Sequence, residues 1–255
     1  MKAYPWRLLK TGFHNGFYNM ALDEALLEAV ARGNSPPVLR LYGWEPSAVS
    51  VGYFQGLEEE VDVGACKRRG VDVVRRISGG GAVFHQAELT YSIIMPVAHP
   101  LSGATIDGAY EHLSGGIIQA LALLGVSSRF APVNDILAGD RKISGNAQTR
   151  RMGCVLQHGT VLLDLDADLM FELLRVPSEK VKDKLIRDVK ERVTGLKALL
   201  GRPVPYEAAE QALAEGFRRA LALDYTSAEP RPEEEGRAQL LAAEKFAAPA
   251  WLYKR

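Results

Sequence analysis

The chain has 255 residues, and its 31 basic side chains balance 31 acidic ones, so the formal net charge is zero. This balance leaves no overall field that would draw the protein to nucleic acid or to an anionic membrane. A hydrophobic fraction of 47% and a charged fraction of 24% are ordinary for a soluble globular protein. The length allows one large domain, or one domain with a small appendage.

Targeting and redox features point to the cytoplasm. The N-terminal sequence MKAYPWRLLKTGFHNG lacks the apolar core and cleavage site of a signal peptide. No run of about 18 apolar residues occurs, so no membrane-spanning helix is expected. The two cysteines, Cys66 and Cys154, are too few for a disulfide framework, and neither belongs to a CxxC pair.

The first half of the chain combines two predicted helices with several short β-rich runs. At residues 19–30, apolar side chains recur at helical spacing beside the acidic Asp23, Glu24 and Glu28. A second, more highly charged helix is expected at residues 58–69. Strands are predicted at residues 38–42, 48–53, 71–76, 82–85 and 89–95.

The second half is predicted to be mostly helical. Long helices are expected at residues 107–124 and 206–223, and helical structure from Asp168 onward has turns at Pro177, Gly195 and residues 201–203. A hairpin at residues 138–140 precedes a strand at residues 155–163. Residues 228–232 form the best candidate for a linker, but the final helix and tail beyond them are too short for a second domain.

These elements predict a single α+β domain over residues 1–255. Strands follow one another directly, rather than in strict alternation with helices. This order favours a mixed, largely antiparallel sheet with packed helices.

Three successive glycines, Gly79 to Gly81, lie within the segment RRISGGGAVFH at residues 75–85. Because glycine has no Cβ, this backbone can come close to a ligand, and its N–H groups can form a concavity for phosphate or carboxylate oxygens. An arginine just before the loop could add a charge-assisted contact. The segment matches neither the P-loop nor the dinucleotide fingerprint. A flexible hairpin tip is the alternative interpretation.

Lys142 lies in a second segment, DRKISGNA. As a partly buried ammonium it would neutralise a carboxylate that attacks the α-phosphate of ATP, and would then hold the acyl-phosphate oxygens. Asn134 and Asp135, a few residues upstream, add an amide and a carboxylate that could meet a nucleotide or a metal ion. The alternative for Lys142 is ordinary surface charge.

His158 lies in a third segment, QHGT, within a β-rich run. A lone histidine in a strand is more often a satisfied structural residue than a catalyst. We therefore expect His158 to form a wall of the pocket rather than to act as a general base.

Together, the segments RRISGGGAVFH, VNDIL, DRKISGNA and QHGTVLLD occur in the order and approximate spacing of the lipoate–protein ligase A family. The chain resembles that family from FYNMALDEALL near its start to EKFAAPAWLYKR at its end. The family is related to the biotin ligases and to the octanoyltransferases of lipoate synthesis. The resemblance implies an α+β fold in which the glycine loop and the lysine flank an acyl tunnel and an adenylate site.

The activity implied by the resemblance is ATP-dependent ligation. ATP, accompanied by Mg²⁺, and lipoate would give lipoyl-AMP. The lipoyl group would then pass to a lysine of an acceptor domain in 2-oxoacid dehydrogenase complexes or of the glycine cleavage H protein. No nucleic acid or membrane partner is implied.

The site residues implied by the resemblance follow the matching motif positions. Lys142 would stabilise the adenylate and the acyl transfer. No fixed metal site is implied beyond Mg²⁺ arriving with ATP, near Asp135. The remaining predicted positions, which line the acyl-adenylate site, the phosphates or the acyl tunnel, are Arg76, Ser78, Gly80, Gly81, His85, Asn134, Asp135, Tyr42 and Gly52.

The principal alternative is an octanoyltransferase of the same fold, which moves octanoyl from acyl carrier protein through a cysteine thioester without ATP. Its nucleophile would lie in the loop before the lysine hairpin, but residues 127–135 contain no cysteine. Cys154 shares a strand with His158 but lies roughly 13 Å from it, too far for a hydrogen bond between nucleophile and base. Cys154 is therefore expected to be a small buried hydrophobe, and the ligase is the favoured prediction.

Two further expectations concern the rest of the molecule. Ligases of this family commonly carry a small C-terminal domain, which this chain lacks, so adenylate formation would need a separate accessory protein, or the chain would perform only the transfer step. A non-catalytic acyl-binding protein is the second alternative. The presence of Lys142 beside the glycine loop argues against it, because apolar binding needs no buried cation.

Overall fold

The computed structural model describes residues 5–175 and 179–254, with the backbone alone at 179–184. The strands are β1 (Trp6–His14), β2 (Val38–Trp44), β3 (Ala48–Val51), β4 (Asp72–Arg75), β5 (Val83–His85), β6 (Glu88–Pro96), β7 (Arg129–Ala131), β8 (Asp135–Ala138), β9 (Arg141–Arg151), β10 (Cys154–Leu162) and β11 (Tyr225–Ala228). The helices are α1 (Gly16–Ala31), α2 (Leu57–Glu60), α3 (Val63–Arg69), α4 (Ile106–Leu123), α5 (Ala167–Leu173), α6 (Glu179–Arg192), α7 (Leu196–Leu200), α8 (Tyr206–Leu221), α9 (Pro232–Leu241) and α10 (Pro249–Leu252).

The strands form a large sheet in the order β11-β1-β2-β6-β10-β9-β8-β7 and a small one in the order β4-β3-β5. In the large sheet, β1 pairs in parallel with β2 and β11, and the other pairs are antiparallel. The predicted α+β architecture with a mixed, largely antiparallel sheet is therefore confirmed.

Helices cover both faces of the large sheet, which explains why its central strands read as continuous apolar runs. Along β2, Leu39 and Leu41 belong to the same core as α4 and α8. The intervening Val38 and Tyr42 face the other core, which contains α1. All seven residues of β2 are buried.

The α4–α8 packing depends on two glycines. A Cβ at Gly216 would lie 2.5 Å from the carbonyl oxygen of Gly116, and a Cβ at Gly116 would lie 2.3 Å from the ring of Phe217. Since neither glycine has a side chain, the helices approach closely and bury Leu113 and Ile117 in the core that they share with residues of β6.

The small sheet positions the glycine loop. β3 pairs in parallel with β4 and antiparallel with β5, so the loop between β4 and β5 is held at one end of the sheet. A Cβ at Gly52, just after β3, would lie 2.0 Å from the carbonyl oxygen of Gly80. Only glycine allows this contact between the β3 end and the loop.

Several predicted boundaries need correction. The helix expected at residues 58–69 is interrupted, because Val61 forms a β-bridge with Leu174. The expected linker at residues 228–232 is partly wrong, since Ala228 ends β11, an edge strand paired with β1. The strand β1 was not predicted. The turn expected at Pro177 lies outside the described residues.

Among the described helices, none is both long and apolar enough to cross a membrane.

Candidate functional site

A cavity of about 310 Å³ lies between the small sheet and the β9–β10 part of the large sheet. Its wall is built by β2, β3, β5, β9 and β10, together with the glycine loop and the end of α6. Apolar side chains from several elements line it, namely Met20, Val83, Phe84, Leu162, Leu165, Met170, Val189 and Val193. Such a lining suits an apolar chain, with a few polar groups to orient its reacting end.

Most of the sequence-predicted site residues meet at this cavity. The residues that line it are Tyr42, Arg76, Gly80, Gly81, His85, Asn134 and Lys142. Three others lie just behind it: Ser78 is fully buried against His158, Gly52 supports Gly80, and Asp135 pairs with Lys142. Their individual roles remain predictions.

Arg76 organises the glycine loop. Its Nη2 donates to the carbonyl oxygens of Gly79 at 2.9 Å and Gly81 at 2.7 Å, and its Nη1 donates to Ser50. Burial lowers the pKa of the Arg76 guanidinium to about 10, which still leaves it charged at neutral pH. Most of its donors are thus used to shape the loop.

Lys142, on β9, extends its ammonium beside the cavity. Its Nζ lies 2.7 Å from Oδ1 of Asp135, and its side chain is 41% exposed. A Cβ at Gly145 would lie 2.9 Å from the Lys142 Nζ, so glycine at that position leaves room for the ammonium. Asp135 is therefore paired with the Lys142 ammonium.

Within residues 5–175 and 179–254, no group of three His, Cys, Asp or Glu side chains could hold a metal ion.

Asn134 and Asn146 hold the hairpin against the cavity. The Asn146 side-chain amide donates to the Asn134 carbonyl at 2.8 Å, and the Asn134 amide donates back to the Asn146 carbonyl. Tyr91 donates to Oδ1 of Asn146 at 2.7 Å. The Asn134 amide, predicted to meet a nucleotide, is engaged with the backbone.

His158 lines the cavity, as predicted for a wall residue. Its Nε2 lies 2.6 Å from Ser78 Oγ, and its Nδ1 lies 3.5 Å from Asp23 Oδ2. Burial lowers the pKa of His158 below its ordinary value, which favours the neutral ring. Burial alone would raise the pKa of Asp23, but Arg40 at 2.7 Å, with His158 and Ser92, lowers it.

His85 belongs to a second hydrogen-bonded group, together with Ser50 and Glu88. Of these three residues, only His85 was predicted from the sequence. Its Nε2 is 2.7 Å from Ser50 Oγ, and its Nδ1 is 2.7 Å from Glu88 Oε1. Trp44 stacks on the imidazole, with ring centroids 4.0 Å apart. A serine inside the apolar strand AVSV was the available signal, because a buried hydroxyl requires a partner.

The two cysteines lie outside the cavity wall. Cys154 is 2% exposed, as expected for a small buried hydrophobe, and Cys66 is fully buried. Burial raises the pKa of both thiols, that of Cys66 to about 11. Neither thiol has the exposed, electropositive surroundings that produce a reactive thiolate.

The family model for the lipoyl protein ligase A/B catalytic domain matches residues 15–218. The chain belongs to this family. Among curated relatives, the octanoyltransferase LipM of Geobacillus kaustophilus is 38% identical over 100% of both chains. LipM of Bacillus subtilis is 36% identical, also over 100% of both. LipM of Kyrpidia tusciae is 39% identical over 98% of this chain and 99% of the relative.

Solved structures agree with this assignment. The bipartite lipoate protein ligase of Thermoplasma acidophilum, described with its E2 lipoyl domain, is 30% identical, with a TM-score of 0.87 over 99% of this chain and 97% of that chain. A lipoate-protein ligase A bound with ATP is 29% identical, with a TM-score of 0.82 over 98% of each chain.

These findings correct the predicted activity. The ligase prediction was wrong, because the full-length curated relatives are octanoyltransferases and therefore favour the alternative. The expected ATP, Mg²⁺ and acyl-adenylate are not supported by those relatives, although one solved neighbour binds ATP and another binds lipoic acid. The chain is an enzyme of the lipoate ligase and octanoyltransferase family, whose members act in protein lipoylation.

Proposed function

We propose that this chain transfers an octanoyl group from a carrier thioester to a lysine of a lipoyl acceptor domain. The observation that carries the proposal is the full-length similarity to octanoyltransferases, at 36–39% identity in the three relatives named above. The cavity suits this chemistry, because its lining combines apolar residues with Lys142, His85 and His158.

The chemistry of the donor removes the need for ATP. A thioester is already activated, so exchanging its sulfur for a lysine nitrogen forms an amide and releases a thiol. Negative charge develops on the acyl oxygen as the carbonyl is attacked. The Lys142 ammonium, beside the cavity, is the group that would stabilise that oxygen.

The acceptor belongs to the same proposal. The archaeal neighbour is described with an E2 lipoyl domain. We expect an acceptor domain of a 2-oxoacid dehydrogenase or the glycine cleavage H protein, modified in the cytoplasm. A single catalytic domain over residues 1–255 suffices for this reaction, because no adenylate has to be formed, and an accessory C-terminal-domain protein is not required.

The test is an acyl transfer assay with the purified chain, octanoyl-loaded acyl carrier protein and an unmodified acceptor domain, without ATP. We expect the acceptor to gain one octanoyl group by mass spectrometry. An acceptor with its target lysine replaced by arginine is the matched control and should gain none. If octanoylation required ATP and free octanoate, and failed with the carrier thioester, the proposal would be wrong.

A further inference from the structure

A serine, a histidine and a carboxylate form a continuous chain at the cavity wall. Ser50 lies on β3, His85 ends β5, and Glu88 begins β6. Ser50 Oγ is 2.7 Å from His85 Nε2, and His85 Nδ1 is 2.7 Å from Glu88 Oε1. Ser50 and His85 both line the cavity that Lys142 borders. Nucleophile, base and orienting carboxylate within hydrogen-bond reach are the signature of an activated hydroxyl.

The hydrogen-bond chemistry fixes the direction of proton movement. As a carboxylate, Glu88 can only accept, so His85 Nδ1 carries the proton that it shares with Glu88. The Nε2 lone pair is then free to accept the proton of the Ser50 hydroxyl. Thr90 also donates to Glu88 Oε1, at 2.7 Å, and helps to hold the carboxylate.

Two neighbours prepare Ser50 and His85 for this role. Arg76 Nη1 donates to Ser50 Oγ at 2.9 Å, so a buried cation is in place to stabilise the oxygen as its proton leaves. The Trp44 ring lies nearly parallel to the His85 ring, at 14°, and fixes its plane. Trp44 and Glu88 are positioning residues, since they act through His85.

The other candidate nucleophiles are less suitable. Ser78 and His158 form a similar pair, but Asp23 lies 3.5 Å from His158 and is engaged by Arg40 at 2.7 Å and Ser92 at 2.6 Å. Ser50 and Ser78 are equally buried, but only Ser50 lines the cavity. Both cysteines are buried outside that wall, and burial raises the pKa of each.

We propose that Ser50 is the nucleophile and carries the acyl group as an oxygen ester, an inference that rests on the proposed function. Ser50 Oγ gives its proton to His85 Nε2 and bonds to the thioester carbon. The carbon–sulfur bond breaks, and the proton passes from His85 to the departing sulfur. In the second half, a neutral acceptor amine attacks the ester and gives one proton to His85. The carbon–oxygen bond breaks, and that proton returns to Ser50 Oγ.

The test is to trap the intermediate on the full chain. The chain is mixed with octanoyl-loaded acyl carrier protein without acceptor, quenched, and analysed by intact mass and peptide mapping. We expect one octanoyl group on the peptide containing Ser50, and this ester should resist neutral hydroxylamine, which cleaves thioesters. Adding the acceptor domain should discharge the ester and modify the acceptor.

Variants make the assignment specific. Ser50→Ala should form no acyl-enzyme and lose transfer by at least about 100-fold. Ser50→Cys should form an acyl-enzyme that hydroxylamine cleaves, a change that a merely structural serine would not produce. Ser114→Ala is the matched control, because Ser114 is also fully buried but lies on α4, outside the cavity wall. It should behave as the wild type, as should the double variant Cys66→Ala/Cys154→Ala.

The outcomes separate this inference from the proposed function. If transfer proceeds while no acyl group appears at Ser50, or appears at Cys154, the inference is overturned and the octanoyltransferase proposal stands. If neither the acyl-enzyme nor the modified acceptor forms with the carrier thioester, both proposals fail. Circular dichroism of Ser50→Ala checks folding, and the Ser50→Cys label tests the site independently.

Discussion

Lys142 Nζ and Asp135 Oδ1 lie 2.7 Å apart across the β8–β9 hairpin, at the edge of the cavity. The side chains remain 41% and 33% exposed, so this ion pair contributes little to folding. The ion pair instead positions the Lys142 ammonium: the Asp135 carboxylate holds it on one side of the hairpin, where Gly145 leaves space for it.

Removing the Lys142 ammonium should therefore affect activity without affecting stability. Lys142→Ala is expected to lower octanoyl transfer by about 100–1,000-fold, since one preformed donor to a developing oxyanion has about that effect. Thermal denaturation should be nearly unchanged. Lys197→Ala is the matched control, because Lys197 forms a comparable exposed pair with Asp164 at 2.6 Å. Near-normal turnover by Lys142→Ala would remove Lys142 from the mechanism.

Cys154 offers a direct test of the thioester route. Because the thiol is buried outside the cavity wall and its pKa is raised, Cys154→Ala should leave transfer within about twofold of the wild type. The cost in stability should be about 1 kcal/mol, as for a typical buried truncation. Steady-state transfer rates and denaturant melts measure the two effects. An inactive but folded Cys154→Ala protein would indicate a cysteine thioester.

The buried ion pair of Arg40 and Asp23 should contribute strongly to the free energy of unfolding at neutral pH. Both side chains are buried, at 0% and 2% exposure, and Arg40→Met would leave Asp23 as an uncompensated carboxylate. We expect a loss of about 3–5 kcal/mol in the free energy of unfolding at neutral pH, measured by urea denaturation. Asp23→Ala at the same pH tests whether removal of either partner has a similar cost.

The same pair fixes the sign of the pH dependence. The folded-state pKa of Asp23 is lowered, so its stabilising contribution is full above the unfolded-state pKa of about 4 and is lost as pH falls through the folded-state value. Urea denaturation of the wild type should show falling stability below about pH 4. Arg40→Met should show a weaker fall, because its Asp23 no longer has the cation that lowers the pKa.

Two helix glycines should respond oppositely to alanine. Gly216→Ala should destabilise the protein although alanine favours helices, since its Cβ would lie 2.5 Å from backbone atoms of α4. Gly236 lies on α9 with open space around its Cβ position. Gly236→Ala should therefore stabilise by about 0.5–1 kcal/mol. Thermal melts should show a lower melting temperature for Gly216→Ala and a higher one for Gly236→Ala than for the wild type. Equal shifts would show that the close contact between α4 and α8 does not determine the effect of alanine.

Local patterning was enough for most elements of the fold. The helical spacing at residues 19–30 and 107–124 and the β-rich runs predicted α1, α4, β2, β6 and β10, because each buries an apolar face. The adjacent strands β11 and β1, at one side of the large sheet, were missed. Their structure depends on parallel pairing with residues far away in sequence, and no local period encodes that contact.

Linked motifs that keep their order and spacing were sufficient to predict the family, the α+β class and most of the predicted positions that line the cavity. The sequence by itself did not determine which polar groups meet. Ser50 and Glu88 reach His85, and Asp23 reaches His158, only after strands and helix from separate segments pack together. A hydrogen bond requires partners within about 3 Å, and the packing of distant segments sets that distance.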